Sequence, residues 1–284
     1  MKGLAALDRG AVLFIGMAVG AVLWRAFQTG GNPPPAAPPA PVVVRAAPAC
    51  TDHFPLSARV LAGLRANRPL RIGVLGDSFG DGVWVATAQV LHGQRDFKVY
   101  QLSREGTGFT RYQSRDLLAD AKSRLNEQPI DIALISFGAN DTQGVWADGK
   151  AVAYMSPRWQ AVIGQRASAL VTYLHDQGVA VGWIGLPRMR KPEFDAQIQA
   201  MNGFYAGLMC RLHVPFVNPV AVSEDRDHRF AKELIDPATK ARYVARAADG
   251  IHMTPHGYRV IARPLLDQIT LLAAPDKPGA DADP

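Results

Sequence analysis

"RIGVLGDSFGDG", residues 71–82, decides how this chain is read. A short apolar run ends abruptly in glycines, two aspartates and one serine. Gly76-Asp77-Ser78-Phe79-Gly80 fits a G-x-S-x-G elbow that exposes a nucleophilic serine. The same residues fit a glycine-rich turn after a strand, of the kind that cradles phosphate. A third reading is a tight turn with no chemistry. The rest of the chain has to choose among them.

The chain has 284 residues, enough for one large domain or two small ones. Hydrophobic residues make up 48% and charged residues 20%, which favours a sizeable core over global disorder. The formal net charge of +6 favours anionic partners such as phospholipid headgroups, acidic glycans or nucleic acid. The sequence holds no zinc finger, RNA-binding sheet motif or dense Lys/Arg helix, so no nucleic-acid partner is expected.

"GAVLFIGMAVGAVLW", residues 10–24, carries no charge and lies between Lys2 and Arg9 on one side and Arg25 on the other. As a helix it would rise about 22 Å, short of a hydrocarbon core of about 30 Å. Flanking arginines can snorkel and a bilayer can thin locally. Two readings stay open for residues 1–27: an uncleaved signal anchor, or a cleaved signal peptide. Either exports the remainder. Residues 28–49 are dense in proline and are expected to form an extended, semi-rigid spacer. Residues 273–284 read as a disordered tail. Cys50 and Cys210 leave a disulfide and two unpaired thiols as alternatives.

Residues 50–272 alternate in pattern. Apolar runs at 70–75, 97–102, 130–137, 179–186 and 214–219 read as strands buried under helices. Helical periodicity falls at 114–125, 156–178, 193–212 and 254–272. Strand–helix alternation predicts one α/β domain with a mostly parallel sheet. Ligands bind such sheets at the carboxyl ends of the strands. There the sequence places "GDSFGDG" with Ser78, "SREGTGFTR" with Gly106 and Gly108, "GANDTQG" with Asn140 and Asp141, and "PRMRK". Asp249 and His252 follow in "ADGIHMTPHGY", before the last helix.

The order G-D-S, Gly, G-x-N-D, D-x-x-H resembles the SGNH hydrolase (GDSL-like) superfamily over about residues 70–262. The resemblance implies a flavodoxin-like, three-layer α/β/α sandwich with a central, mostly parallel sheet of five strands. It implies a catalytic triad of Ser78, Asp249 and His252. It also implies an oxyanion hole from the Ser78 and Gly108 N–H groups and the Asn140 side chain. The chemistry is coherent: a serine hydroxyl needs a base, and a carboxylate three residues before the histidine can fix the imidazole tautomer. Asp77 and Asp141 read as braces. His256 competes with His252, but the D-x-x-H spacing favours His252. A third ligand to join the two histidines is missing, so no metal is expected, and no cofactor. The α/β-hydrolase alternative lacks an HGGG-type motif, and no phosphate-loop spacing is present.

"FGANDTQG", "WIGLPRMRKPEF" and "DGIHMTPHGY" further resemble membrane-anchored or periplasmic SGNH-like proteins of Gram-negative bacteria. The resemblance implies a domain in the periplasm, held at the inner membrane by one span or released from it. The expected activity is an exported serine esterase acting on O-acyl esters, acetyl above all, of envelope polysaccharide or of small esters. Two alternatives stay open: an O-acyltransferase fed by a membrane acyl-donor partner, and a non-catalytic scaffold. Arg188 and Arg190 are candidates to hold a glycan carboxylate or phosphate, and a solvated basic turn is the alternative. Trp84 and Trp146 are candidates to stack on sugars or to pack in the core.

Overall fold

The computed structural model describes residues 50–112 and 114–273. The apolar segment 10–24, the spacer 28–49 and the tail beyond 273 lie outside the described residues. No helix among the described residues is long and apolar enough to cross a membrane.

Five parallel strands form the central sheet: β1 (Leu70–Gly76), β2 (Phe97–Gln101), β3 (Ile132–Ser136), a fourth at Ala180–Ile184 and a fifth at Phe216–Val217. Two hairpins fall between and after them. β4 (Val145–Ala147) pairs with β5 (Lys150–Val152), and β8 (Glu233–Ile235) with β9 (Arg242–Val244). The fourth and fifth sheet strands are therefore β6 and β7. The sheet order is β2-β1-β3-β6-β7, all pairings parallel.

The helices are α1 (Ala58–Arg65), α2 (Ser78–Val90), α3 (Leu117–Glu127), α4 (Pro157–Asp176), α5 (Pro192–Arg211) and α6 (Pro255–Ala273). Alternate strand residues face opposite ways and make two cores. Ile72, Val74, Ile132 and Leu134 pack with Phe79 and Val83 of α2 and Ile261 and Leu265 of α6. Leu75, Ala133, Ile135, Val181 and Trp183 pack with Leu117 of α3, Ile163 and Leu170 of α4, and Tyr205 of α5. A strand buried on both faces has no polar alternation, which is why these runs are nearly continuous apolar stretches. The result is the expected three-layer architecture.

Several details depart from the sequence reading. The segment from Ser78, placed on a loop with no helix expected, is the 13-residue helix α2. Asp116 rather than Ser114 caps α3, its carboxylate accepting from the N–H groups of Leu118 and Ala119. Helix α1 and the two hairpins had no strong periodic signal. Ala273, placed in the tail, completes α6. The open choice over the cysteines resolves as a disulfide: Cys50 and Cys210 are bonded, with Cα atoms 4.6 Å apart. It ties residue 50 to the last turn of α5.

The sheet order is the doubly wound 2-1-3-4-5 pattern, whose chain reversal lies between β1 and β3. Their following loops part there and leave a crevice. Ser78 follows β1 and Asn140 follows β3, so both flank that crevice.

Candidate active site

Gly76 makes the turn out of β1 possible. A Cβ there would sit 2.3 Å from the Ser136 carbonyl and 2.6 Å from Gly80 Cα, and its φ is +157°. Asp77 then caps α2, its Oδ1 accepting from Phe79 N at 2.9 Å, while Oδ2 accepts from Gly138 N at 3.4 Å. Asp77 is fully buried, and burial pushes its carboxyl up to about 7 against those two N–H groups. It ties the β1 loop to the β3 loop, which is a brace. Ser78 is the first residue of α2, so its N–H is one of the helix's first-turn donors without an intrahelical partner. The helix dipole adds positive potential at that spot.

Ser78 Oγ lies 2.8 Å from His252 Nε2. His252 Nδ1 lies 2.6 Å from Asp249 Oδ2. The other carboxylate oxygen, Oδ1, accepts from Ile251 N at 2.8 Å and His252 N at 3.0 Å. Partial burial pushes the Asp249 carboxyl up. The hydrogen bonds from the His252 ring and from the two N–H groups outweigh burial and hold it at about 2. Phe79 stacks on the imidazole, ring centres 5.2 Å apart, and fixes its plane. Phe79 is in the opening motif, but nothing in the sequence marks it as the ring's partner.

Asn140 Nδ2 donates to Thr107 O at 2.9 Å, which places the amide one residue from Gly108. A side-chain amide carries two N–H donors, so one remains. Asp141 is buried, and burial pushes its carboxyl up. It accepts from Phe109 N at 3.1 Å, Thr110 N at 2.7 Å and Thr110 Oγ at 2.7 Å. A Cβ on Gly108 would meet Asp141 Oδ1 at 2.6 Å, so only glycine fits against this brace.

A cleft of about 700 Å³ opens on this centre, its wall including Ser78, Asn140, His252, Gly106, Trp84 and Tyr258. Asp81 and Glu105 also line it, and among the described residues no lysine or arginine does. Asp81 accepts from Gln101 Nε2 at 2.8 Å and from the Ser103 hydroxyl. Gly82 lets α2 approach the Tyr258 ring: a Cβ there would lie 2.1 Å from it.

Arg188 and Arg190 do not line the cleft, which corrects their expected role. Arg188 is committed to ion pairs with Asp195 at 3.0 Å and Glu224 at 2.8 Å. Arg190 turns to the loop bearing Asp249, donating to Ala248 O at 3.0 Å. Trp84 lines the cleft, whereas Trp146 sits on a separate groove with Arg158 and Arg166. His256 is elsewhere, bonded to Asp236 at 2.8 Å and stacked on Tyr243.

The family described as "Protein of unknown function (DUF459)" matches residues 71–268. The chain belongs to this family. No curated protein matches it. Among solved structures it is similar to a GDSL-like lipase from Bacteroides thetaiotaomicron. That pair is 17% identical over 74% of this chain and 97% of the other, with a TM-score of 0.48. It is similar to a member of the lipolytic G-D-S-L family from Veillonella parvula, 12% identical over 71% and 98%, TM-score 0.47. It is also similar to a catalytic mutant of an acetylxylan esterase from Geobacillus stearothermophilus, 15% identical over 70% and 94%, TM-score 0.47.

Proposed function

We propose that this DUF459 protein is a serine esterase that hydrolyses O-acyl esters through an acyl-Ser78 intermediate. The observation that carries the reading is the unbroken chain Ser78 Oγ, His252 Nε2, His252 Nδ1, Asp249 Oδ2, with links of 2.8 and 2.6 Å, whose Ser78 and His252 line an open cleft.

In this reading His252 Nε2 takes the Ser78 proton as Oγ bonds to the ester carbonyl carbon. Charge gathers on the carbonyl oxygen. The Ser78 and Gly108 N–H groups and the free Asn140 N–H receive it. The tetrahedral intermediate collapses, and His252 gives its proton to the departing alcohol. Water then attacks the acyl-Ser78 carbonyl, losing a proton to His252, and the acid leaves as Ser78 regains its hydrogen. Asp249 stays ionised throughout, because its carboxyl titrates near 2.

The cleft supports an uncharged alcohol portion. Among the described residues two carboxylates and neither lysine nor arginine line it, which disfavours an anionic glycan. Acetyl esters of a neutral glycan or of small alcohols fit best, and Trp84 offers a ring face to a sugar. Passage of the acyl group to a sugar hydroxyl instead of water uses the same steps and is the second reading. The disulfide supports residence in an oxidising compartment, in keeping with export and an N-terminal anchor.

The test is hydrolysis of p-nitrophenyl acetate and of an acetylated neutral glycan by the purified protein. Acetate release from both is expected. Release of p-nitrophenol that rises with added sugar acceptor, with acetyl-sugar as product, would turn the reading to transfer.

A further inference from the structure

Arg246 is buried to 1% exposure. Asp249 and Asp195 lie within electrostatic reach, but among the described residues no carboxylate forms an ion pair with it. Its Nη2 donates to the Ile251 carbonyl at 2.6 Å and touches Met189 Sδ at 3.8 Å. Its Nε and Nη1 have no hydrogen-bond partner among the described residues. The Phe230 ring lies under the guanidinium at 4.9 Å. A buried cation with so few partners is costly, and a ring face returns only part of that cost. In some proteins a buried ionic group of this kind is retained for the register it imposes and not for stability.

The use is visible in what the guanidinium holds. Ile251 lies between Asp249 and His252, and its N–H already donates to Asp249. Arg190 grips the same loop from the other side: its N–H donates to Gly250 O at 3.0 Å and its Nη1 to Ala248 O at 3.0 Å. Its guanidinium rests on the same Phe230 ring at 5.3 Å. The backbone bond from Ala247 N to His252 O, 3.0 Å, closes the loop. Three carbonyls around Asp249 are thus fixed by two arginines that share one aromatic ring.

We propose that Arg246 is a positioning residue, retained in the core to hold the Asp249–His252 pair in register with Ser78 and not to stabilise the fold. Arg190 and Phe230 complete the clamp. The proposal rests on the esterase reading for its catalytic consequence, but its structural part stands without it.

The two parts are separable in one experiment on the purified protein and its Arg246→Met and Arg246→Lys variants. Proton NMR reads the low-field imidazole N–H resonance of the Asp249–His252 bond without any substrate. Thermal unfolding and p-nitrophenyl acetate kinetics are measured on the same samples. The expected result for Arg246→Met is a melting temperature equal to or above that of the parent, loss of the low-field resonance, and kcat lower by about 10- to 100-fold with KM within about twofold. Arg246→Lys, which keeps a cation and a donor, is expected to recover part of the resonance and of kcat. Unchanged resonance and kcat in Arg246→Met would overturn the proposal. So would a fall in melting temperature that tracks the loss of kcat, with no recovery in Arg246→Lys. If Arg246→Met fails to fold, Arg246→Lys decides: a normal melting temperature with a weakened resonance supports positioning, and an intact resonance overturns it. A parent protein that shows the resonance but cleaves no ester would defeat the esterase reading alone.

Discussion

Ser78 Oγ and His252 Nε2 meet at 2.8 Å although they lie 174 positions apart in the chain. Nothing local brings them together; the sheet and the packing of α6 on α2 do. His256, only four residues further on, points to Asp236 instead. His252→Ala is therefore expected to lower kcat/KM for p-nitrophenyl acetate by about 10³-fold or more, while His256→Ala keeps most of it. Steady-state kinetics of the two variants make the comparison, and equal losses would contradict it.

Asn140 is expected to act only once charge has formed. Asn140→Ala should cost about 10²- to 10³-fold in kcat with little change in KM, the signature of a group that serves the transition state. Its bond to Thr107 O predicts a small loss of stability besides, measurable by urea unfolding.

Asp77 makes stability depend on pH. Its folded carboxyl titrates near 7, because burial outweighs its two N–H bonds, whereas an unfolded aspartate titrates near 3.9. Between these values the unfolded chain has released the proton and the folded chain has kept it. The folded state binds more protons, so this group's contribution is full below about pH 4 and is lost as pH rises towards 7. Asp77→Asn should flatten that part of the curve, by an amount on the order of a few kcal/mol. Urea denaturation at pH 5 and pH 8 for both proteins gives the difference. Asp249 has the opposite sign: its carboxyl sits near 2, so its contribution is present above the unfolded value near 3.9 and fades as pH falls towards 2.

The Cys50–Cys210 bond closes a loop with a sequence separation of 160. Loss of such a cross-link costs about 2–5 kcal/mol in small exported domains. Cys210 lies at the end of α5 far from the carboxyl ends of the strands, so Cys50→Ser with Cys210→Ser should lower the melting temperature and leave KM for p-nitrophenyl acetate unchanged. A shifted KM would place the bond's influence in the cleft.

The architecture was legible because β1, β3 and β6 are buried on both faces and so read as unbroken apolar runs. The candidate site residues were legible because strand ends concentrate them: Ser78, Asn140 and the Asp249–His252 spacing stand out against apolar flanks. Helix α2 was hidden, because Gly80 and Gly82 look like turn residues when their purpose is close approach to β1 and to Tyr258. The arginines misled for a related reason. Position after a strand says that a side chain is near the site, but not whether it faces the cleft or the loop beside it. Arg188 and Arg190 turn away to Asp195, Glu224 and the Ala248 carbonyl. Arg246, two residues before the "ADGIH" block, carried no signal of its own.

The cleft's charge yields a substrate prediction. With Asp81 and Glu105 on its wall and neither lysine nor arginine among the described residues that line it, it should favour neutral over anionic esters. The kcat/KM for an acetyl ester of a neutral sugar should exceed that for the same ester of a uronate, and added salt should narrow the gap. Glu105→Lys, at an exposed position, should narrow it further.

Ser78 as the nucleophile is the assignment on which the proposed chemistry depends. It is tested most directly by treating the protein and its Ser78→Ala variant with a serine-directed fluorophosphonate, then locating the adduct by peptide mass spectrometry. One adduct is expected, on Ser78, forming as p-nitrophenyl acetate hydrolysis is lost, with neither adduct nor hydrolysis in Ser78→Ala. Hydrolysis that survives in Ser78→Ala, or an adduct on another residue that tracks the loss of activity, would contradict it.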